Sequence, residues 1–324
     1  MRYSRFLLYF FCFLVISCGT TSMLMTVTRP AEVNLKGYEK IAIGDIVNAD
    51  GNTGSHAMDL ADDFTTALLN ANIFEVLDRQ HLNSVMSEHE LGLSGLIDES
   101  TSAELGKIIG AAVLVFGRVQ TDKYDEETSK GDPYTDKKGN RHQYHYRKGT
   151  YSLVVNIKLI DIVTSKILAS KTLAKESISS TSADNKWPAN IDVDALYTYC
   201  LRDVSKQFMR TVGPYDVQVK ASFQTDKLLP EVDSAIAQLK IGEWEEAISQ
   251  FQQATEKKDL EAKISAKTFY DLGLAQMYYS QYDESLESLK KAFSLMPKSK
   301  FYMTAINTCK AEKEKADKLK EQTE

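Results

Sequence analysis

The hydrophobic period changes once along this chain, and that change limits the fold more than any other feature. Up to about Phe223, short runs of period two alternate with stretches of helical period. From Pro230 onward only the helical period remains. Such a chain folds as two modules, a sheet layered with helices and then an all-helical module. The 307 residues after Ser17 fit about two domains at roughly 100–200 residues each.

In the first module, Ile41 and Ile43 alternate in a strand, and residues 48–52 are dense in turn formers. Ala57, Leu60, Ala61, Phe64 and Leu68 then recur at helical spacing. Residues 74–77 make a short second strand. Asp78 is placed to cap a helix presenting Leu82, Val85 and Met86, and Thr101 with Glu104 opens another that stops at Gly110. The unbroken apolar run at 112–116 predicts a central strand buried on both faces. Leu153, Val155, Ile157 and Leu159 alternate, and a turn at 161–165 leads into a strand from Lys166 to about Lys175. Val193, Leu196, Tyr197, Cys200, Leu201, Val204 and Phe208 follow one helix face for four turns, which makes Cys200 a small buried hydrophobe. Residues 217–223 add an edge strand.

The amino terminus carries Arg2 and Arg5, an uncharged apolar run at 6–16, and then Val15-Ile16-Ser17-Cys18. The run is too short to span a bilayer, which takes about 20 apolar residues. This pattern resembles the lipobox of bacterial lipoproteins, whose signal is cut before an acylated cysteine. The resemblance implies a lipidation site at Cys18, palmitate among its acyl chains, and a protein held at the periplasmic side of the outer membrane. Several acyl chains at about 0.8 kcal/mol per buried CH₂ anchor stably without a transmembrane helix. Loss of the signal takes the formal charge from −6 to −8, which gives no electrostatic reason to bind nucleic acid. Cys200 and Cys309, the cysteines left to pair, fall in different modules, so no disulfide is expected.

Residues 74–82, then 88–91, Leu105-Gly106 and the run 110–117 resemble, in that order, the curli assembly and transport component family, CsgG. The resemblance covers about Tyr38 to Gly213. It implies an α/β (α+β) sheet with flanking helices, a fold shared with TolB-type amino-terminal domains and with LpoB, the lipoprotein that activates penicillin-binding proteins. Curli-type proteins place two β-hairpins per subunit in the outer membrane. Here residues 122–148 carry thirteen Asp, Glu, Lys and Arg residues, with only Tyr124, Tyr134, Tyr144 and Tyr146 to face lipid. Charges on a lipid face cost about 2–4 kcal/mol each near the midplane, so this is no spanning hairpin. Residues 176–191 are short and serine-rich, with Pro188 near their end, and cannot supply two spanning strands. The polar segment 121–149 therefore reads as a mobile excursion, either a partner-binding loop or a disordered insertion.

In the second module, Gly242, Trp244, Ala247, Phe251 and Ala254 are similar to the small and aromatic positions of a tetratricopeptide (TPR) repeat. Leu272, Gly273, Ala275, Tyr282, Leu286, Leu289, Ala292 and Pro297 are similar to them again. Residues 301–309 supply the cap that two repeats need, and the charged tail from Lys310 is a solvated helix end. Such repeats resemble peptide-binding scaffolds, and the pair alternatively only spaces or stabilises the first module.

No phosphate loop, dinucleotide fingerprint or nucleophile elbow occurs. No catalytic residue, metal ligand or cofactor is therefore assigned. His142 and His145 read as solvated loop histidines. Asn48, Asp50, Asn52 and Asp59 have calcium-loop spacing but lack the glycine of its sharp turn, so a plain turn is expected. The expected organisation is a signal at 1–17, a lipidated tether at 18–36, a CsgG-like domain at 37–224, and two TPR-like repeats plus a terminal helix at 228–324. The expected function is a non-catalytic, lipid-anchored envelope scaffold that binds other envelope proteins or peptides through a TPR groove, with homo-oligomerisation open. The alternatives are an oligomeric outer-membrane secretion component and an LpoB-like activator of a cell-wall synthase.

Overall fold

The computed structural model describes residues 19–77 and 112–324. The expected signal, Cys18 and the helices expected between Asp78 and Gly110 lie outside the described residues. Two units divide the rest: Pro30–Tyr215 with Leu319–Glu324, and the stretch up to Arg29 with Asp216–Lys318.

The first unit is built on a five-stranded sheet. Its strands are β2 (Lys40–Val47), β3 (Glu75–Leu77), β4 (Ala112–Lys130), β7 (Tyr144–Asp161) and β8 (Ile167–Asp184), in the order β3-β2-β4-β7-β8. β2 runs parallel to β3 and β4, and β4, β7 and β8 are antiparallel neighbours. Residues 112–115 are buried, and β4 is central, as an unbroken apolar run requires. Helices α1 (Ser55–Ala71) and α2 (Val193–Val212) share one core with the sheet, and Phe64 stacks on Phe208 with centroids 4.3 Å apart. α2 starts where Asp192 accepts a hydrogen bond from the Ala195 amide at 2.9 Å. The turn at 48–52 closes on itself, with Asp50 accepting from the Asn52 amide.

The segment 121–149 is not a loop, which corrects the sequence reading. β4 and β7 pair without interruption from Thr121–Val154 to Lys130–His145, and β8 continues beside them to Asp184. Only residues 131–143 form the tip, with a small ladder of β5 (Tyr134–Thr135) and β6 (Arg141–His142). The charged side chains hid the strands because little of the extension's surface is core, so a hydrophobic alternation never builds up.

The second unit opens on β1 (Gly19–Arg29), which pairs with β9 (Tyr215–Thr225). Ser22 faces Ser222, Thr26 faces Gln218 and Thr28 faces Asp216, so the strands are antiparallel. Residues 19–29, expected to be part of a tether, are thus structured. Met23, Met25, Val219, Ala221 and Phe223 turn to the helices, while Ser22, Thr26 and Thr28 face water. The helices are α3 (Pro230–Ile241), α4 (Trp244–Thr255), α5 (Ala262–Tyr278), α6 (Tyr282–Leu295) and α7 (Lys300–Thr323). α3 and α4 form one hairpin, closed by Gly242 at φ +87°, and α5 and α6 form another. At Gly273 a Cβ would lie 2.7 Å from Leu289, so only glycine allows this close crossing of α5 and α6. Tyr302 and Cys309 bury α7 against the pair. Cys200 and Cys309 are buried free thiols.

The ribbon of β1 and β9 is bonded to alternate helices. Tyr270 on α5 donates to the Ser222 carbonyl at 3.1 Å, and Tyr302 on α7 donates to the Gln224 side chain at 3.0 Å. The Gln224 amide donates to Asp271 at 2.8 Å. Asp271 is fully buried, and burial pushes its carboxyl far above the usual range. It lies near a buried ion pair, Lys267 to Asp226 at 2.8 Å, whose lysine charge acts against that rise.

Candidate functional site

Two side-chain clusters mark the extension of β4, β7 and β8, one at its base and one at its tip. At the base, Asp122 of β4 sits between two partners. Tyr151 of β7 donates its hydroxyl to one carboxylate oxygen, and His56 at the start of α1 lies 2.6 Å from the other. The His56 ring stacks on Tyr197 of α2 at 4.0 Å, and Tyr197 donates to Asp59 on α1 at 3.1 Å. Four elements therefore converge on one cluster.

The cluster is poorly suited to chemistry and well suited to holding direction. Burial, and then the hydrogen bond to Asp122, raises the Tyr151 hydroxyl far above the usual range. Burial, and then the charge of Asp59, does the same for Tyr197. Neither is a nucleophile near neutral pH. The Cys200 thiol is buried, is pushed up by that burial, and donates to the Tyr151 carbonyl at 3.6 Å. Beyond the cluster, Tyr124 donates to Glu126, which also pairs with Arg147. A Cβ on Gly149 would lie 2.6 Å from the Tyr124 hydroxyl and 2.9 Å from Ile191, so glycine lets the chain returning to α2 seat on the extension.

At the tip, His142 lies between two carboxylates. Its Nδ1 meets Asp184 at the end of β8, and its Nε2 is 3.4 Å from Asp136. Tyr134 stacks on its other side at 5.1 Å. Hydrogen bonds from the Asn140 side chain and amide pull Asp136 down to about 2, so it stays ionised. The hydrogen bond to Asp184, then that to Asp136, raises His142 above its usual 6.5. A raised histidine value means that this clamp is complete below about 6.5 and is lost as pH climbs through the higher folded-state value. Amide exchange at residues 134–142 is therefore expected to quicken as pH rises through that value, beyond the intrinsic pH effect. His142→Gln should remove the excess. An unchanged pH profile in that variant would refute the clamp.

Neither cluster was foreseen from the sequence. His142, expected as a solvated histidine, is paired on both ring nitrogens, and His145 lies against Trp187 at 4.7 Å. His56, Asp122, Tyr151 and Tyr197 are up to 141 positions apart, with no local motif. Only the place of Tyr197 on the α2 stripe pointed inward. Cys18 lies outside the described residues.

The model of the family described as "Curli production assembly/transport component CsgG" matches residues 34–185, from just ahead of β2 through the extension. The helical hairpins fall outside that match. No curated protein matches the chain. Similar solved structures include the PelC dodecamer from Paraburkholderia phytofirmans, 14% identical over 60% of this chain and 99% of that one, TM-score 0.29. The LpoB carboxy-terminal domain from Salmonella enterica is 12% identical over 44% of this chain and 84% of that one, TM-score 0.27. A minor lipoprotein from Acinetobacter baumannii is 14% identical over 54% and 92%, TM-score 0.25.

Proposed function

We propose that this chain is a non-catalytic scaffold of the bacterial cell envelope, anchored by acyl chains on Cys18 and positioned on the periplasmic side of the outer membrane. The CsgG-family match over residues 34–185 carries this reading. The sequence ahead of Cys18 supports the anchor, and the base cluster supports the scaffold, because it fixes a long extension rather than activating a group. The ribbon hydrogen-bonds to α5 and α7 and stacks on Phe251 of α4, so it already occupies part of the helical hairpins' surface. This favours the helical hairpins as a dock for the chain's own ribbon, and leaves partner contact to the first unit.

Metabolic labelling with a palmitate analogue tests the anchor. The wild-type chain should label and float with outer membranes. Cys18→Ser should lose the label entirely. A labelled, membrane-bound Cys18→Ser chain would overturn the reading.

A second reading, homo-oligomerisation of the secretion-component type, is favoured by one observation. Past Arg118, β4 has only β7 beside it, and β8 is an outer strand of the sheet, among the described residues. Unpaired edges of this length are templates for a second copy.

A further inference from the structure

The tip of the extension differs in composition from the rest of the chain. The whole sequence is acidic, yet residues 130–148 hold four lysines and two arginines against two aspartates. Lys137, Lys138 and Arg141 are exposed at the extremity and form no ion pair among the described residues. Aromatic rings line the strands behind them. Tyr144 and Tyr146 share one face of β7 with centroids 6.4 Å apart, and Tyr134 stacks on Tyr144 at 6.3 Å. Their exposures are 39%, 44% and 47%. On the opposite face, Trp187 is 46% exposed, packs on His145 and lies 5.7 Å from the Lys130 ammonium.

From this arrangement we infer that the tip seats in the headgroup layer of an anionic phospholipid surface. Three observations favour lipid over a protein partner. The aromatics lie on both broad faces of a thin ribbon, and a flat protein surface covers only one, whereas an interface takes both. All four rings carry a polar handle, Tyr O–H or Trp N–H, the type of ring that settles between water and hydrocarbon. The unpaired cations sit at the end that would arrive first, and each such charge near an anionic surface strengthens binding about fivefold. Glu126, Glu127 and Asp132, just behind, oppose deeper entry, so the seat is shallow and the extension does not span. The inference is independent of Cys18 acylation and extends the scaffold reading.

The test uses the mature chain with Cys18→Ser, which carries no acyl group of its own. It should sediment with vesicles containing phosphatidylglycerol and not with phosphatidylcholine vesicles, and salt should weaken the binding. K137E/K138E/R141E, three changes in an exposed turn, should bind at least about a hundredfold more weakly. Brominated lipid should quench tryptophan fluorescence in the parent and lose that effect in Trp187→Phe, a readout that does not depend on how the triple variant folds. Failure to sediment, equal binding to both vesicle types, or full binding by a folded triple variant would each overturn the proposal. Binding to dextran sulfate without binding to vesicles would overturn it too, in favour of an anionic polymer.

Discussion

Phe223→Ala should lower the unfolding free energy of the helical unit by about 3–5 kcal/mol, the range for deleting a buried aromatic ring. Phe223 is fully buried on the ribbon and stacks on Phe251 of α4 at 5.5 Å. Urea unfolding followed by Trp244, the tryptophan of that unit, would measure the loss. Leu24→Ala is the internal control, because Leu24 points to water from the same ribbon and should change stability by less than about 0.5 kcal/mol. Equal effects of the two substitutions would mean that the ribbon is not part of the helical core.

A loss of similar size is expected from Lys267→Met. The Lys267 and Asp226 side chains are each 5% exposed, and removing one partner of such a pair strands a buried charge at about 3–5 kcal/mol. Replacing both, as Lys267→Met with Asp226→Leu, should recover most of that loss, because neither charge is then left buried without its partner. The pH dependence has a definite sign. Burial pushes the Asp226 carboxyl up, but hydrogen bonds from Lys267 and the Leu228 amide hold it below the usual 3.8. The pair's contribution is therefore present above that value and is lost as pH falls through the folded-state one. The deficit of Lys267→Met should accordingly shrink in acid. A pH-independent deficit would show that the lysine stabilises by packing alone.

The parts of this fold that could be read in advance are those with one wet face and one dry face over several turns, or none wet at all. The α2 stripe from Val193 to Phe208 and the buried run at 112–115 are of this kind, and both stand where the pattern put them. β1 was missed for a different reason. Met23, Met25 and Val27 recur at period two, but Leu24 breaks the polar alternation and the partner strand lies almost two hundred positions away, so nothing local distinguishes a strand from a linker. The extension was missed because Asp122, Glu126, Arg147 and Tyr151 satisfy one another across strands. Read singly, the three charged residues signal solvent; paired, they hold a sheet. The same distance in sequence concealed the base cluster.

One consequence follows from where β1 begins. Gly19 is already in the ribbon, a single peptide bond from the cysteine proposed to be fatty-acylated. Proteins moored by a long leash can search a volume above the bilayer; a chain acylated at Cys18 would have almost none to pay out. The strand that opens the helical unit would then start at the leaflet that holds the fatty chains, and together with the tip of the extension it would give the molecule two separate points of attachment to lipid.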